Sequence, residues 1–256
     1  MLKWLPRTSN LAKALLAAFV LAPFAVAHAD SLNITYFTIQ GTDRDSARLC
    51  CSTSTDYVLP GLGIYGLPVL NPGGEGEGGA APLDLLSDNE ITWWSPSLNN
   101  GGPGGSSDVT ETGTAIVTLP FANNKFYAPN GTGSKDSTEY QAAILSGTLY
   151  APTSEQISFS VSSDDMAFVY LDGVIVCDDG GVHAATAVPC TTSTVSAGNH
   201  SLELFYVDLD PVDAVLDFSV TTQGVTITAT PEPGTMTLLG SGLLVLAGFV
   251  RRKIRV

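Results

Sequence analysis

Residues 157–183 read ISFSVSSDDMAFVYLDGVIVCDDGGVH, and this stretch decides the fold. Ile157, Phe159 and Val161 alternate with serines, the period of two that a half-buried strand needs. Asp172-Gly173 separates the apolar run Ala167 to Leu171 from Val174 to Cys177. An Asp-Gly pair between two such runs predicts a tight hairpin, because both turn positions must take positive φ. Working outward, Leu32 to Phe37, Thr114 to Leu119, Ser201 to Val207, Ala214 to Val220 and Val225 to Thr228 read as strands in the same way. No long helical period appears between Asp30 and Thr230. Many short strands at close spacing predict an all-β, antiparallel β-sandwich.

Two glycine-rich segments, 71–80 (NPGGEGEGGA) and 99–107 (NNGGPGGSS), interrupt the pattern. Neither has the strand before, the helix after or the nearby cations of a phosphate cradle. Both are expected to be flexible surface loops of the one domain. They flank Trp93-Trp94, a pair that either stacks a ligand ring or packs inside the sandwich.

Charge is unevenly placed. The chain holds 11 basic and 25 acidic residues, for a net charge of −14, and seven of the basic residues lie at the ends. Between Asp30 and Thr230 only Arg44, Arg48, Lys125 and Lys135 face 24 acidic residues. Such a surface repels phosphate backbones, which excludes nucleic acid as a partner and makes metal cations the natural ones.

The ends read as addresses. Residues 1–29 have a basic front, an apolar run from Ala14 to Val26 and the small-x-small site Ala27-His28-Ala29, the pattern of a secretory signal peptide. At the other end, residues 231–256 carry Pro231-Glu232-Pro233, the apolar run Met236 to Val250 and a cluster that includes Arg251 and Arg252. The run is shorter than the ~20 residues that span a bilayer comfortably, and its flanking cations favour the cytoplasmic side. This tail resembles the PEP-CTERM sorting signal of Gram-negative, exopolysaccharide-producing bacteria. The resemblance implies a short membrane-inserted helix and cutting near the Pro-Glu-Pro motif by an exosortase-type enzyme of the inner membrane. It also implies an outcome at the cell surface or in the extracellular matrix.

Export permits disulfides. Four cysteines allow three pairings. Cys177 and Cys190 would close a loop of 12 intervening residues, leaving adjacent Cys50 and Cys51 to a vicinal bond, and crossed pairings stay open. No basic neighbour or paired histidine supports a catalytic thiol.

Three acidic turns lie along residues 157–220: Asp164-Asp165, Asp178-Asp179, and the group Asp208, Asp210, Asp213. Calcium takes six to eight oxygen ligands, and loops between strands supply them, although no EF-hand spacing is present. The ordered set resembles the PA-fourteen domain and its fibro-slime relatives. Its parts are the Ser-x-Asp-Asp strand, the aromatic strand into Asp172-Gly173, the Asp179-Gly-Gly-Val-His183 loop and the Ala197-Gly-Asn-His200 strand into Phe205-Tyr206. About 75 residues carry it, and Leu32 to Phe37 looks like the family's opening strand, so the domain is expected over 30–222 with a final strand or linker at 223–230. Sugar-binding members such as flocculins hold calcium on two adjacent aspartates joined by a cis peptide, a bond that surrounding contacts must enforce. Asp164 and Asp165 carry that role over. The second ligand loop corresponds to Tyr206 to Asp213, where flocculins use Asn and this chain offers Asp208, Asp210 and Asp213. The resemblance therefore implies calcium as cofactor and an extracellular polysaccharide or other glycan as partner; Trp93, Trp94, Asp178, Asp179 and His183 are further candidate ligand contacts. A matrix protein with a structural calcium site, and a polysaccharide hydrolase, are the rival readings. His183 and His200 lack the third ligand and fixed spacing of a zinc site, and no nucleophile or acid–base pair has a recognisable spacing, so an enzyme is not expected.

Overall fold

The computed structural model describes residues 29–45, 49, 51–123, 139–210 and 214–230. Residues 1–28 of the expected signal peptide, the sorting tail with Pro231, Glu232, Pro233, Arg251 and Arg252, and Asp213 lie outside the described residues. Eleven strands are present among the described residues: β1 (Ser31–Gln40), β2 (Val109–Thr118), β3 (Phe121–Asn123), β4 (Glu139–Ala151), β5 (Glu155–Asp164), β6 (Met166–Leu171), β7 (Val174–Asp179), β8 (Thr186–Val195), β9 (Gly198–Val207), β10 (Val215–Val220) and β11 (Thr226–Thr228). They form two antiparallel sheets, one in the order β2-β1-β4-β9-β6-β7 with β11 also on β4, the other in the order β3-β10-β5-β8.

The sheets face each other across one apolar core. Leu32, Ile34, Leu145, Val169, Leu204 and Tyr206 come from the large sheet and Ile157, Phe159, Val161, Leu216 and Phe218 from the small one. Alternation on β5 is as expected: Ile157, Phe159 and Val161 are buried while the serines between them are half-exposed. The hairpin between β6 and β7 turns at Asp172 (φ 51°) and Gly173 (φ 72°). Cys177 on β7 and Cys190 on β8 form a disulfide, so the bond ties an edge strand of one sheet to an edge strand of the other. Cys51 is disulfide-bonded as well.

The large sheet departs from the half-buried pattern. All six residues of β6 are buried, because the 68-residue connection between β1 and β2 folds over the sheet's outer face as a third layer. Its Tyr57, Val58, Leu67, Leu70, Ile91, Trp93 and Trp94 pack on Met166, Phe168, Tyr170, Phe205 and Val207 in a second core. Strands buried on both faces read as continuous apolar runs. That is why Tyr140 to Ala143 of β4 are buried in succession, and alternation sets in only beyond them.

The connection also closes the β7 edge, with bridges from Ser54 to Gly180 and Gly61 to Val174 and a bond from Ile175 N to the Pro60 carbonyl (2.8 Å). An open edge would otherwise template association. The glycine-rich segments belong to this layer, where the chain runs through successive tight turns. Gly73, Gly76 and Gly78 take positive φ, and a Cβ at Gly74 would sit 2.0 Å from the Asp56 carbonyl oxygen.

The two ends of the domain meet. Asp30 accepts from Ile227 N through its carboxylate (2.8 Å), and Asn33 donates to the Thr230 carbonyl (2.7 Å).

Candidate functional site

β5 ends at Asp164 and β6 begins at Met166, so Asp164 and Asp165 sit at the point where the chain crosses from the small sheet to the large one. The peptide between them is cis. β9 ends at Val207 and delivers Asp208 beside them. Oxygens of Asp164, Asp165 and Asp208 lie within 4.8 Å of one another. Two oxygens on opposite sides of one calcium are about 5 Å apart, given metal–oxygen bonds near 2.4 Å, so the three carboxylates fit a single ion.

Backbone N–H groups fix Asp165. Its Oδ1 accepts from His183 N (3.2 Å), and its Oδ2 accepts from Leu209 N (2.8 Å) and Asp210 N (3.1 Å). Asp210 N also donates to Asp208 Oδ1 (3.2 Å), and the Tyr206 hydroxyl donates to the Asp164 carbonyl (2.7 Å). The backbone of 208–210 thus wraps the carboxylates and holds them together against their own repulsion. Burial, then the Asp165 charge, pushes Asp164 up to about 7. Burial pushes Asp165 up to about 6, opposed by the Leu209 N–H.

A cleft of about 550 Å³ opens over this group. Asp164, Asp165 and Asp210 line it together with His183, Ala184 and, from the covering layer, Ser52, Thr53 and Glu77. Only Glu77 comes from a glycine-rich segment, where it is one of two acidic residues in NPGGEGEGGA. Nothing in the sequence reading brought that segment to the site.

The remaining expected residues divide. His183 lines the cleft, and its Nε2 stands 3.2 Å from Asp179 Oδ1. Burial pulls the His183 ring down, but the Asp179 carboxylate and the Ala184 carbonyl outweigh it, so the ring is held above the usual histidine range. Asp179 stands behind, buried, accepting from the Ser163 hydroxyl (2.7 Å). Asp178 does not line the cleft: its Oδ2 accepts from Val58 N (2.9 Å) and anchors the covering layer to β7. Asp210 reaches the carboxylate group through its backbone and the cleft through its side chain. Trp93 and Trp94 present no face to a ligand. Both are buried, Trp94 Nε1 donates to the Tyr206 carbonyl (2.7 Å), and the ring meets Phe205 edge-on with centroids 5.3 Å apart. Their apolar area has more to gain inside the second core than at the surface. His200 is a structural pair, with Nδ1 2.6 Å from Asp172 Oδ2 and Nε2 2.9 Å from the Ser196 carbonyl.

Fold and site together define a class: an antiparallel sandwich with a carboxylate group and a solvent-facing cleft at one end of its sheets. Residues 123–231 match the PA14 domain and residues 229–253 match the PEP-CTERM protein-sorting motif, the mark of an exported protein sorted at its C-terminus. β1, β2 and the covering layer lie ahead of the PA14 match. Among solved structures, the chain is similar to the PA14 domain of the MpAFP antifreeze protein (12% identity, 83% of this chain and 99% of that one, TM-score 0.37). It is also similar to the PA14 sugar-binding domain from an RTX adhesin (14% identity, 78% and 96%, TM-score 0.38). A third likeness is to an anti-sigma factor domain-containing protein (19% identity, 46% of this chain, TM-score 0.35), of whose length the chain spans 44%. No curated protein matches the chain by sequence.

Proposed function

We propose that this exported protein binds calcium on Asp164, Asp165 and Asp208 and uses that site to hold a glycan, the extracellular polysaccharide of a Gram-negative cell surface or matrix. One observation carries the reading: three carboxylates within 4.8 Å of one another, two of them lining an open cleft. An oxygen-only donor set suits a hard cation rather than zinc. Calcium bound there supplies coordination positions that two vicinal hydroxyls of a sugar can fill in place of water. The chain's own part is positioning. Three N–H groups aim Asp165, the Asp208 to Asp210 turn brings in the third carboxylate, and Ser52, Thr53, Glu77 and His183 offer hydrogen bonds to the sugar's other hydroxyls. Processing at the C-terminus falls to an exosortase-type enzyme, which would release the sandwich from the inner membrane.

Chromatography on immobilised exopolysaccharide tests this. The exported protein is expected to be retained in calcium and released by chelator, and the Asp164→Asn/Asp165→Asn variant to pass through. Retention that ignores chelator would overturn the reading. Calcium-dependent melting without retention would leave a structural ion in a matrix protein, and release of reducing ends would make the protein a hydrolase.

A further inference from the structure

A second group of carboxylates lies inside the covering layer. Oxygens of Asp43, Asp45 and Asp84 lie within 4.8 Å of one another, and all three residues are buried. Asp45 is fully engaged, accepting from Leu83 N (2.6 Å), Asp84 N (3.0 Å) and Trp93 Nε1 (3.1 Å). Asp43 Oδ1 accepts from Asp45 N (2.6 Å). Asp84 Oδ1 pairs with the Arg44 guanidinium, and its Oδ2 accepts from Asn99 Nδ2 (2.8 Å).

A fourth carboxylate, Asp108, has no exposed surface, and neither of its oxygens meets a hydrogen-bond donor. The polar side chain it faces is Asp43, another acid. A buried carboxylate that no N–H or hydroxyl group reaches is costly. Four acids and the Arg44 guanidinium thus meet in one buried place.

The 99–107 segment closes over this group. A Cβ at Gly101 would stand 2.2 Å from Asp84 Oδ2, and one at Gly102 would stand 3.2 Å from the Asp108 Cβ. The Asn99 side-chain oxygen accepts from Gly101 N and Asp108 N (both 3.2 Å). Glycines there allow the backbone an approach that any side chain would block. The segment thus has a purpose that its composition alone does not reveal.

We propose that Asp43, Asp84 and Asp108, with Asp45 positioning them, form a second divalent-cation site of the calcium class, separate from the cleft. Its donors are all oxygen, with no His or Cys among them, which selects a hard ion. The site is closed, so the ion ties the Asp43–Asp45 turn, the Asp84 turn and the start of β2 together rather than meeting a ligand.

Calcium counting decides the matter. The exported protein, stripped with chelator and dialysed against calcium, is expected to hold two ions per chain. The Asp164→Asn/Asp165→Asn variant is expected to keep one, and that ion should shift Trp93 emission because the indole donates to Asp45. The Asp43→Asn/Asp108→Asn variant should keep only the cleft ion. An Asp164→Asn/Asp165→Asn chain that binds no calcium, and melts identically with and without it, would overturn the proposal. It would leave Asp43 and Asp108 as a protonated acid pair. That readout stands even if the Asp43→Asn/Asp108→Asn chain fails to fold, and it is independent of whether the cleft binds its own ion.

Discussion

Asp164 and Asp165 oppose the fold when no cation balances them, since burial raises both above the ordinary carboxylate range, with the Asp165 charge adding at Asp164 and the Asp210 charge at Asp165. Replacing both with Asn removes that repulsion and keeps the shape. The variant is therefore expected to melt a few degrees above the wild type in chelator, by differential scanning calorimetry, while losing the calcium response of the cleft. In the wild type, calcium at a hundred times its Kd adds about 2.7 kcal/mol. For a domain of this size that is about 5–10 °C in Tm. Trp94 gives a second prediction. Trp94→Phe keeps most of the buried area and loses the bond to the Tyr206 carbonyl, so it should cost about 1 kcal/mol in urea unfolding and leave glycan retention unchanged. A stacking role would instead lower retention. The Asp-Asp pair and Asp208 were legible because they are contiguous turns within the motif order from 157 to 208. Asp43, Asp84 and Asp108 were not, because three separated turns build that group and only Asp43-Arg44-Asp45 shows any spacing in the sequence.

Elements carry two further tests. The Cys177–Cys190 bond joins β7 to β8 across the sandwich with a sequence separation of 13. Replacing both cysteines with Ala should cost about 3 kcal/mol, the loop-closure entropy returned to the unfolded chain, measured as a lower urea midpoint. His200 on β9 and Asp172 in the β6–β7 turn set a pH dependence. The Asp172 carboxylate, then the Ser196 carbonyl, hold His200 above its ordinary value. Burial lifts Asp172, but His200 and Ser201 together outweigh it and hold the carboxylate below its ordinary value. The His200 contribution is complete below about pH 6.5 and fades as pH rises through its raised folded value. The Asp172 contribution is complete above about pH 3.9 and fades as pH falls through its lowered one. Urea midpoints should therefore decline above neutrality, and Asp172→Asn should remove that decline. The effect is modest because the Asp172 side chain is 55% exposed. At this scale the strands with one wet face were readable from alternation and from Asp172-Gly173. β4 and β8 escaped, β4 because both its faces are covered and β8 because Pro189 and a threonine-rich run give it no apolar rhythm.

At the scale of the whole molecule, the described residues form three layers: the small sheet, the large sheet and the covering connection. The third layer is what composition concealed, since glycine-rich turns hide the apolar anchors Tyr57, Ile91, Trp93 and Trp94 between them. Removing residues 41–108 would expose Phe168, Tyr170 and Phe205, so that deletion is expected to aggregate and bind hydrophobic dyes. A chain of residues 30–230 keeps both cores and the Asp30 and Thr230 contacts, and is expected to unfold cooperatively. The covering layer also supplies Ser52, Thr53 and Glu77 to the cleft, so the molecule's shape and its proposed ligand site depend on the same segment. The central claim is an ion on Asp164, Asp165 and Asp208, and calorimetric calcium titration of the exported chain beside Asp164→Asn/Asp165→Asn tests it most directly. The account predicts that one binding event present in the wild type vanishes in the variant. Equal calcium binding by the two chains would contradict it.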